Sequence, residues 1–568
     1  MPGTETLLVN AKVFQPSNTG GLDQKASFAS SLLISADGRI RHINTSSDAA
    51  DDDEIISQAR ANGAVVHDLA GRTVLPGFFD GHLHLLLLGL SLQKVDLTPC
   101  KDLEDVRRMI REYAIANPNV PRIFAAKWTP GVMTPSPVHH SMLDDLDPLG
   151  RSIFIDSRDL HATWANQAGI DELDAGLGIG TMPDPPGGTI HRDESGKATG
   201  FFEEAVVFTL IWPWIARIST PQERATAMGK AVDTYSAEGY VGMIDMAMNG
   251  DMWDSLLLLR QQRPDLPIRI AAYWLLRPTE DKADVAAQVD VAIEMARKYN
   301  ATTSPDLKVV GIKIVSDGII DACTAALSEP YTHNSASPDP VWSKDMLRPA
   351  VERATEAGLQ VAIHAIGDKA ISNAVDVIEA SGRPDLRPRI EHLELTSAKD
   401  AARLGKLGIT ASVQPVHSDP AVLKAWPRLL GETRCKRAFA YREMADSGAT
   451  MALGSDAPTA PHSLPQNCYV ATTRHSARDP KYMEVVNPEF KLGLCESVVA
   501  GSGGSARSCF MDEVTGSLDK GKMADLAVVD MFWEEGRLLE AKVVQTWFEG
   551  RKVYDAEAGG VLTVKQSL

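Results

Sequence analysis

VLPGFFDGHLHL, residues 74–85, is where the rhythm of the chain changes. Before it, LLVNAKVF, SSLLISA and RIRHI read as short strands separated by turns such as ADGR. The acidic stretch Asp48–Ala59 reads as a surface loop or short helix. After it, short apolar runs alternate with amphipathic helices. KVDLT precedes a helix over Leu103–Ala116, VGMIDMA one over Met252–Gln262, and IRIAAYW one over Lys282–Tyr299. KVVGIKIVSDG leads, after a long loop, to a helix over Lys344–Ala357; VAIHAIGD leads to Lys369–Ala380 and RIEHLE to Ala398–Leu407. GITASVQP leads to Ala438–Ser447, and MALGSDAP closes the series. Repeated strand–helix alternation implies a parallel sheet, and about eight units predict a (β/α)8 TIM-type barrel.

The barrel is expected over residues 71–507. Residues from about 117 to 235 are too many for one connection, and they are read as an insertion that shapes the pocket. The tail returns to strands in GSLDKGKMADLAVVD, AKVVQTWFEG and RKVYD. Residues 1–70 and 508–568 are therefore expected to form one small β-sandwich domain from both chain ends.

Composition narrows the function classes. The 568 residues are 44% hydrophobic and 23% charged, the balance of a soluble globular protein. A net charge of -18 argues against nucleic acid or an anionic membrane as partner. No apolar run reaches the roughly 18–20 residues of a membrane span. The N-terminus lacks the basic and apolar regions of a secretory signal. The six cysteines are scattered without a CxxC pair, which fits reduced thiols in a cytoplasmic protein. A homodimer is the base-rate oligomer.

In a strand, residues i and i+2 face the same side, so His82 and His84 present two imidazoles to one point. Imidazole is a common ligand of zinc and other transition metals, although HxH also arises by chance. Three further strands end in residues of the same kind: His364 in VAIH, His392 in RIEH and Asp456 in MALGSD. Active sites of such barrels are built from several strand C-termini at once. Lys313 lies in the otherwise apolar VVGIKIVSDG, where a charge is costly unless paired or modified. It either snorkels or pairs with Asp317, on the same face by parity, or it is carboxylated to an anion that bridges two metals. Gln414 and His417 end the GITASVQP strand on the catalytic side. Gln414, Asp317, Trp128 and His161 are the substrate-contact candidates, with Glu203 or Glu204 beside them. His139–His140 reads as solvated surface.

LPGFFDGHLHL, GIKIVSDG, AIHAIGDKAI, RIEHLE, SVQPVH and ALGSDAPT, in this order, resemble the motifs of the amidohydrolase superfamily, and more narrowly its YtcJ-like (amidohydrolase 3) branch. GSLDKGKMADLAVVD resembles the superfamily's closing β-domain segment. DSRDLHATWAN and PPGGTIHRDESGKATGFFEEA resemble the branch's insertion, so the likeness covers nearly the whole chain. The resemblance implies that His82 and His84 hold the more buried metal and His364 and His392 a second. It implies that Lys313, as N6-carboxylysine, bridges them, and that Asp456 ligates the first metal and handles protons. The cofactor is then one or two divalent ions, zinc foremost. The implied reaction is hydrolysis of an amide-type, non-peptide C–N bond of a small molecule by a metal-activated hydroxide.

Nucleobase deaminases of the superfamily tend to carry a glutamate near the position of His364. HAIGDKA has none, which weighs against that activity. Decarboxylation, isomerisation and ester or lactone cleavage on the same metals stay open. A non-catalytic binding relative is the remaining class, against which every expected ligand position is filled.

Overall fold

The computed structural model describes residues 4–17, 25–45, 53–158, 161–185 and 188–562. Residues 48–52 of the acidic stretch, Asp159 and Leu160 of DSRDLHATWAN, and residues 186–187 of PPGGTIHRDESGKATGFFEEA lie outside them. From Asp53 onward that acidic stretch is a helix, Glu54–Ala61, capped by the Asp53 carboxylate.

Eight parallel strands make the barrel: β1 (Phe78–Leu83), β2 (Tyr240–Met248), β3 (Arg269–Leu275), β4 (Leu307–Val315), β5 (Gln360–Ala365), β6 (Arg389–His392), β7 (Thr410–Val413) and β8 (Met451–Leu453). Each pairs with its sequence neighbour. Their near-continuous apolar composition follows from burial on both faces, because helices cover a parallel sheet from outside. Closure between β8 and β1 uses the backbone just beyond the strands: Asp456 N donates to His82 O at 2.7 Å and His84 N to Ala457 O at 3.0 Å.

That seam is tight. A Cβ on Gly454 would come within 2.5 Å of His82 N, and one on Gly81 within 2.7 Å of Leu453 O. Only glycine allows the two backbones this approach. Asp80 fastens the same seam from inside. Its buried carboxylate accepts from His82 N, Ser455 N, Ser455 Oγ and Tyr235 OH at 2.6–3.1 Å. Burial nonetheless lifts its pKa to about 6.

The chain ends form two stacked sheets. One has four strands, in the order Ile40–Asn44, Ser31–Ile34, Thr6–Val9, Val65–Asp68. The other has seven, and in it Thr73–Pro76 lies between Lys12–Pro16 and Leu526–Asp530 from the tail. Leu8, Leu32, Val13, Val74, Leu526 and Trp547 share the core between them, which is a β-sandwich. Arg269, the first residue of β3, is buried and donates to Asp525 and Glu549 of the tail. Among the described residues, no helix is long and apolar enough to cross a membrane.

The chain divides into two compact units, the second being Leu86–Ala231 with Asp254–Leu259. The inserted unit thus starts near residue 86, not 117. KVDLT, expected to open a barrel unit, supplies Val95–Asp96, which pairs with Ile123–Trp128 at the edge of the inserted unit's six-stranded sheet. A short run followed by a helix carries no signal of which sheet it will join. The helix itself, Leu103–Ala116, falls where expected, with Asp102 as its N-cap. The helices of the barrel also start within a few residues of expectation, for example Lys282–Lys298 and Lys344–Glu356.

Candidate metal centre

The predicted ligands His82, His84, His364, His392 and Asp456 come together at the C-terminal ends of β1, β5, β6 and β8. Ring centroids lie 5.6 Å apart for His82 and His84, 4.9 Å for His82 and His392, and 4.4 Å for His364 and His392. The Asp456 Oδ1 is 3.1 Å from His84 Nε2 and 3.4 Å from His82 Nε2. Charge-assisted hydrogen bonds run to about 2.7–2.9 Å. Four ligands at the usual 2.0–2.2 Å from zinc stand about 3.4 Å from one another. The Asp456 Oδ1 has no hydrogen-bond partner although it is buried, so these atoms converge on a common point instead of bonding each other. Ligand atoms of His82, His392 and Asp456 lie within 4.8 Å of one another.

Local backbone geometry makes the convergence possible. Alternation along β6 would send Glu391 and His392 to opposite faces. His392 has φ of 75° and Leu393 of 55°, which breaks the alternation and lets the imidazole reach the same cluster as Glu391. Asp456 has φ of 56°. Left-handed backbone at non-glycine residues is strained and clusters at functional sites.

Electrostatics favour the neutral form of His82, His364 and His392 and the ionised form of Asp456, the states in which each can ligate. Burial, helped by the Lys313 charge, lowers His82 to about 4 and His364 to about 3. Burial also takes His392 well below its usual value. For Asp456 burial opposes ionisation, but His82, His84 and His392 outweigh it and hold the carboxyl well below the usual range.

The Lys313 amine is 2% exposed and has no hydrogen-bond partner. Burial depresses its pKa to about 8. The pairing with Asp317 considered from strand parity does not form. The Asp317 carboxylate instead accepts from the backbone N–H of Ala326, Ile366 and Gly367 at 2.8–3.0 Å and lies 3.5 Å from His364 Nε2. It therefore shapes the loops around His364, and burial raises its pKa to about 7.

The other substrate-contact candidates separate. Gln414, at the end of β7, is buried with both amide atoms unpartnered. Trp128 lies in the core of the inserted unit, packed on Trp164 and donating to Thr134 Oγ1 at 3.0 Å, so its surroundings are those of a packing residue. His161, also in the inserted unit, sits 2.9 Å from Glu204 Oε2 and is partly exposed. Glu203 pairs there with His191 at 2.5 Å. In the His139–His140 pair, His140 Nδ1 is 2.7 Å from Asp144 Oδ2.

Sequence reasoning missed the group that orients His82. The Nδ1 of His82 lies 2.7 Å from Glu391 Oε2. Glu391 is held by Arg389, whose Nε donates to Oε1 at 2.8 Å. The remaining Arg389 donors go to Ser508 Oγ, Gly81 O and Ser412 Oγ. Burial opposes the charge on Glu391, but Arg389 and His82 take its carboxyl well below the usual range. With Nδ1 committed to Glu391, the Nε2 of His82 is the nitrogen left to face Asp456. The signal was present in RIEH: two opposite charges at i and i+2 in a strand buried on both sides must pair inside the barrel. Losing such a carboxylate partner typically weakens metal binding about 10- to 100-fold. Glu391→Gln should weaken zinc binding by about that factor in a chelator competition titration, whereas unchanged affinity would show that Glu391 does not orient His82.

The chain is similar to known proteins along most of its length. The model of the Amidohydrolase family matches residues 65–554. Protein LONG AFTER FAR-RED 3 of Arabidopsis thaliana is 27% identical over 87% of this chain and 84% of its own length. Putative amidohydrolase YtcJ of Bacillus subtilis is 26% identical over 86% and 90%. The N-substituted formamide deformylase of Arthrobacter pascens is 25% identical over 97% and 98%. A crystal structure of an uncharacterized metal-dependent hydrolase from Pyrococcus furiosus superposes with a TM-score of 0.72 at 26% identity, covering 92% of this chain and 97% of that one. With a family match over most of its length, a closed eight-stranded barrel and an imidazole–carboxylate cluster at the strand ends, the chain belongs to the Amidohydrolase family, in its YtcJ-like branch.

Proposed function

We propose that this metal-dependent hydrolase cleaves an amide-type, non-peptide C–N bond of a small molecule. His82, His84 and Asp456 would hold one divalent ion, zinc foremost, and His364 and His392 a second. The donor set of neutral imidazoles and one carboxylate suits zinc. When bound, such an ion supplies a water that ionises near neutral pH and polarises the scissile carbonyl.

The chain's own residues do the rest. Asp456, ionised, accepts the proton of the attacking water on Oδ2, the oxygen that it would not give to the ion. It then returns that proton to the departing nitrogen, which is a poor leaving group until protonated. The water oxygen bonds to the carbonyl carbon, and the tetrahedral carbon then loses its C–N bond, giving the carboxylic acid and the amine. Gln414, with a buried unpartnered amide, offers a donor and an acceptor to the substrate.

The observation that carries the reading is the Asp456 carboxylate, held charged among three imidazoles with an unbonded oxygen. The likeness to a formamide deformylase along nearly both whole chains supports the C–N bond and favours N-formyl and N-acyl amines as substrates. Positioned acid–base groups contribute about 10²- to 10⁴-fold to rate. Against a panel of N-formyl amines, N-acyl amines, lactones and aryl acids, turnover should appear with the amines. Asp456→Asn should keep its zinc while losing about 10²- to 10⁴-fold in kcat. Undiminished kcat in that variant excludes the proton role, and turnover of lactones alone excludes the C–N reading.

Lys313 would bridge the two ions as its carbamate. A buried, unpartnered ammonium is costly, and its depressed pKa leaves free amine near neutrality. That amine adds to CO2, forming the N–C bond and releasing one proton. Because the neutral amine reacts, the carbamate should grow as pH rises toward 8 and beyond. A carbamate resonance in 13C NMR after incubation with zinc and 13C-bicarbonate, lost in Lys313→Met, is the expected result. A spectrum without that resonance at pH 8–9 makes Lys313 an ordinary amine.

A further inference from the structure

His417 is not among the ligands proposed above, yet it stands beside them, with its Nε2 3.7 Å from Asp456 Oδ2. Its ring is 5.9 Å from that of His392 and parallel to within 6°. The Nδ1 lies 3.4 Å from Glu394 Oε1. The carboxylate of Glu394 is 8% exposed and makes no shorter contact with that ring. As at Asp456, the separation is long for a charge-assisted hydrogen bond and matches the distance between two ligands of one zinc ion, about 3.4 Å. His392, Glu394 and His417 each offer an atom within 4.8 Å of the others. His392 is 4% exposed and its Nδ1 is buried without a partner.

We propose that His392, Glu394 and His417 form a further divalent-cation position beside the proposed centre, sharing His392 with it. The inference rests on the reading of this cluster as a metal centre. Two imidazoles and one carboxylate are a ligand set for zinc that leaves a coordination place open. His392 would serve both positions as an imidazolate, one nitrogen to each ion, with its ring proton passing to solvent. Glu394 and His417 come from the loops after β6 and β7, adjacent strands, which explains their proximity without any contribution from β1. The position would raise the zinc capacity of the chain above that of the centre alone and give it a second, separable affinity for zinc.

The test uses the full chain saturated with Zn2+ alone. Anomalous difference maps on both sides of the zinc absorption edge should show a peak bounded by Glu394 and His417, separate from the peaks of the centre beside His82 and Asp456 and beside His364. Glu394→Gln and His417→Asn should each lose the outer peak and one equivalent of zinc by elemental mass spectrometry, while the peaks of the centre stay. A wild-type map with the peaks of the centre alone, or variants with undiminished zinc, overturns the further position and leaves the metal-centre reading intact. A map with no peak at all overturns both.

Discussion

Three buried side chains in a row, Arg389, Glu391 and His82, set the geometry on which the catalytic end of the barrel depends. Arg389 and Glu391 are fully buried. Removing one member of a buried ion pair costs about 3–5 kcal/mol because the other is left uncompensated. Such a pair is tolerated only when the remaining donors are satisfied, and here they are, by Ser508, Ser412 and the Gly81 carbonyl. The same network spans β6, β7 and the β1 seam. A structural requirement, closing the barrel, and a functional one, fixing the His82 tautomer, are thereby met by one set of bonds. Asp80 plays the parallel part at the seam, tying His82 N to Ser455 N through one carboxylate oxygen.

The centre depends equally on departures from regular strand geometry. A strict β6 would hide His392 behind Glu391, and the left-handed φ at His392 removes that conflict. Asp456 likewise sits in a left-handed bend one residue after Ser455, with its N–H on His82 O. Strain of this kind costs about 1–3 kcal/mol per residue and persists where the surroundings over-determine it. The hydrogen-bonded seam on one side and the Arg389–Glu391 pair on the other supply that surrounding order.

Much of this was legible in the sequence. His82 and His84 at i and i+2, and polar residues ending otherwise apolar strands, were enough to bring His364, His392 and Asp456 to one end of a barrel. Lys313 stood out because a charge in an apolar strand demands a reason. What escaped was of two kinds. Val95–Asp96 has the form of a barrel strand and joins another sheet, because partner choice is decided by tertiary packing. The role of Glu391 was hidden since parity assigns it and its neighbour His392 to opposite faces, and only the backbone bend reconciles them. Trp128 shows the converse: its residue type suits a ligand pocket, but its place in the inserted unit's sheet puts it in a core.

The central claim is that this cluster of imidazoles and carboxylate binds metal. Elemental mass spectrometry of the freshly purified full chain, alongside a His82→Asn/Asp456→Asn double variant of equal thermal stability, tests it most directly. Wild-type protein should carry at least one tightly held divalent transition-metal ion per chain, with a clear deficit in the variant. Wild-type protein with almost none, not restored by zinc with bicarbonate, would contradict that claim.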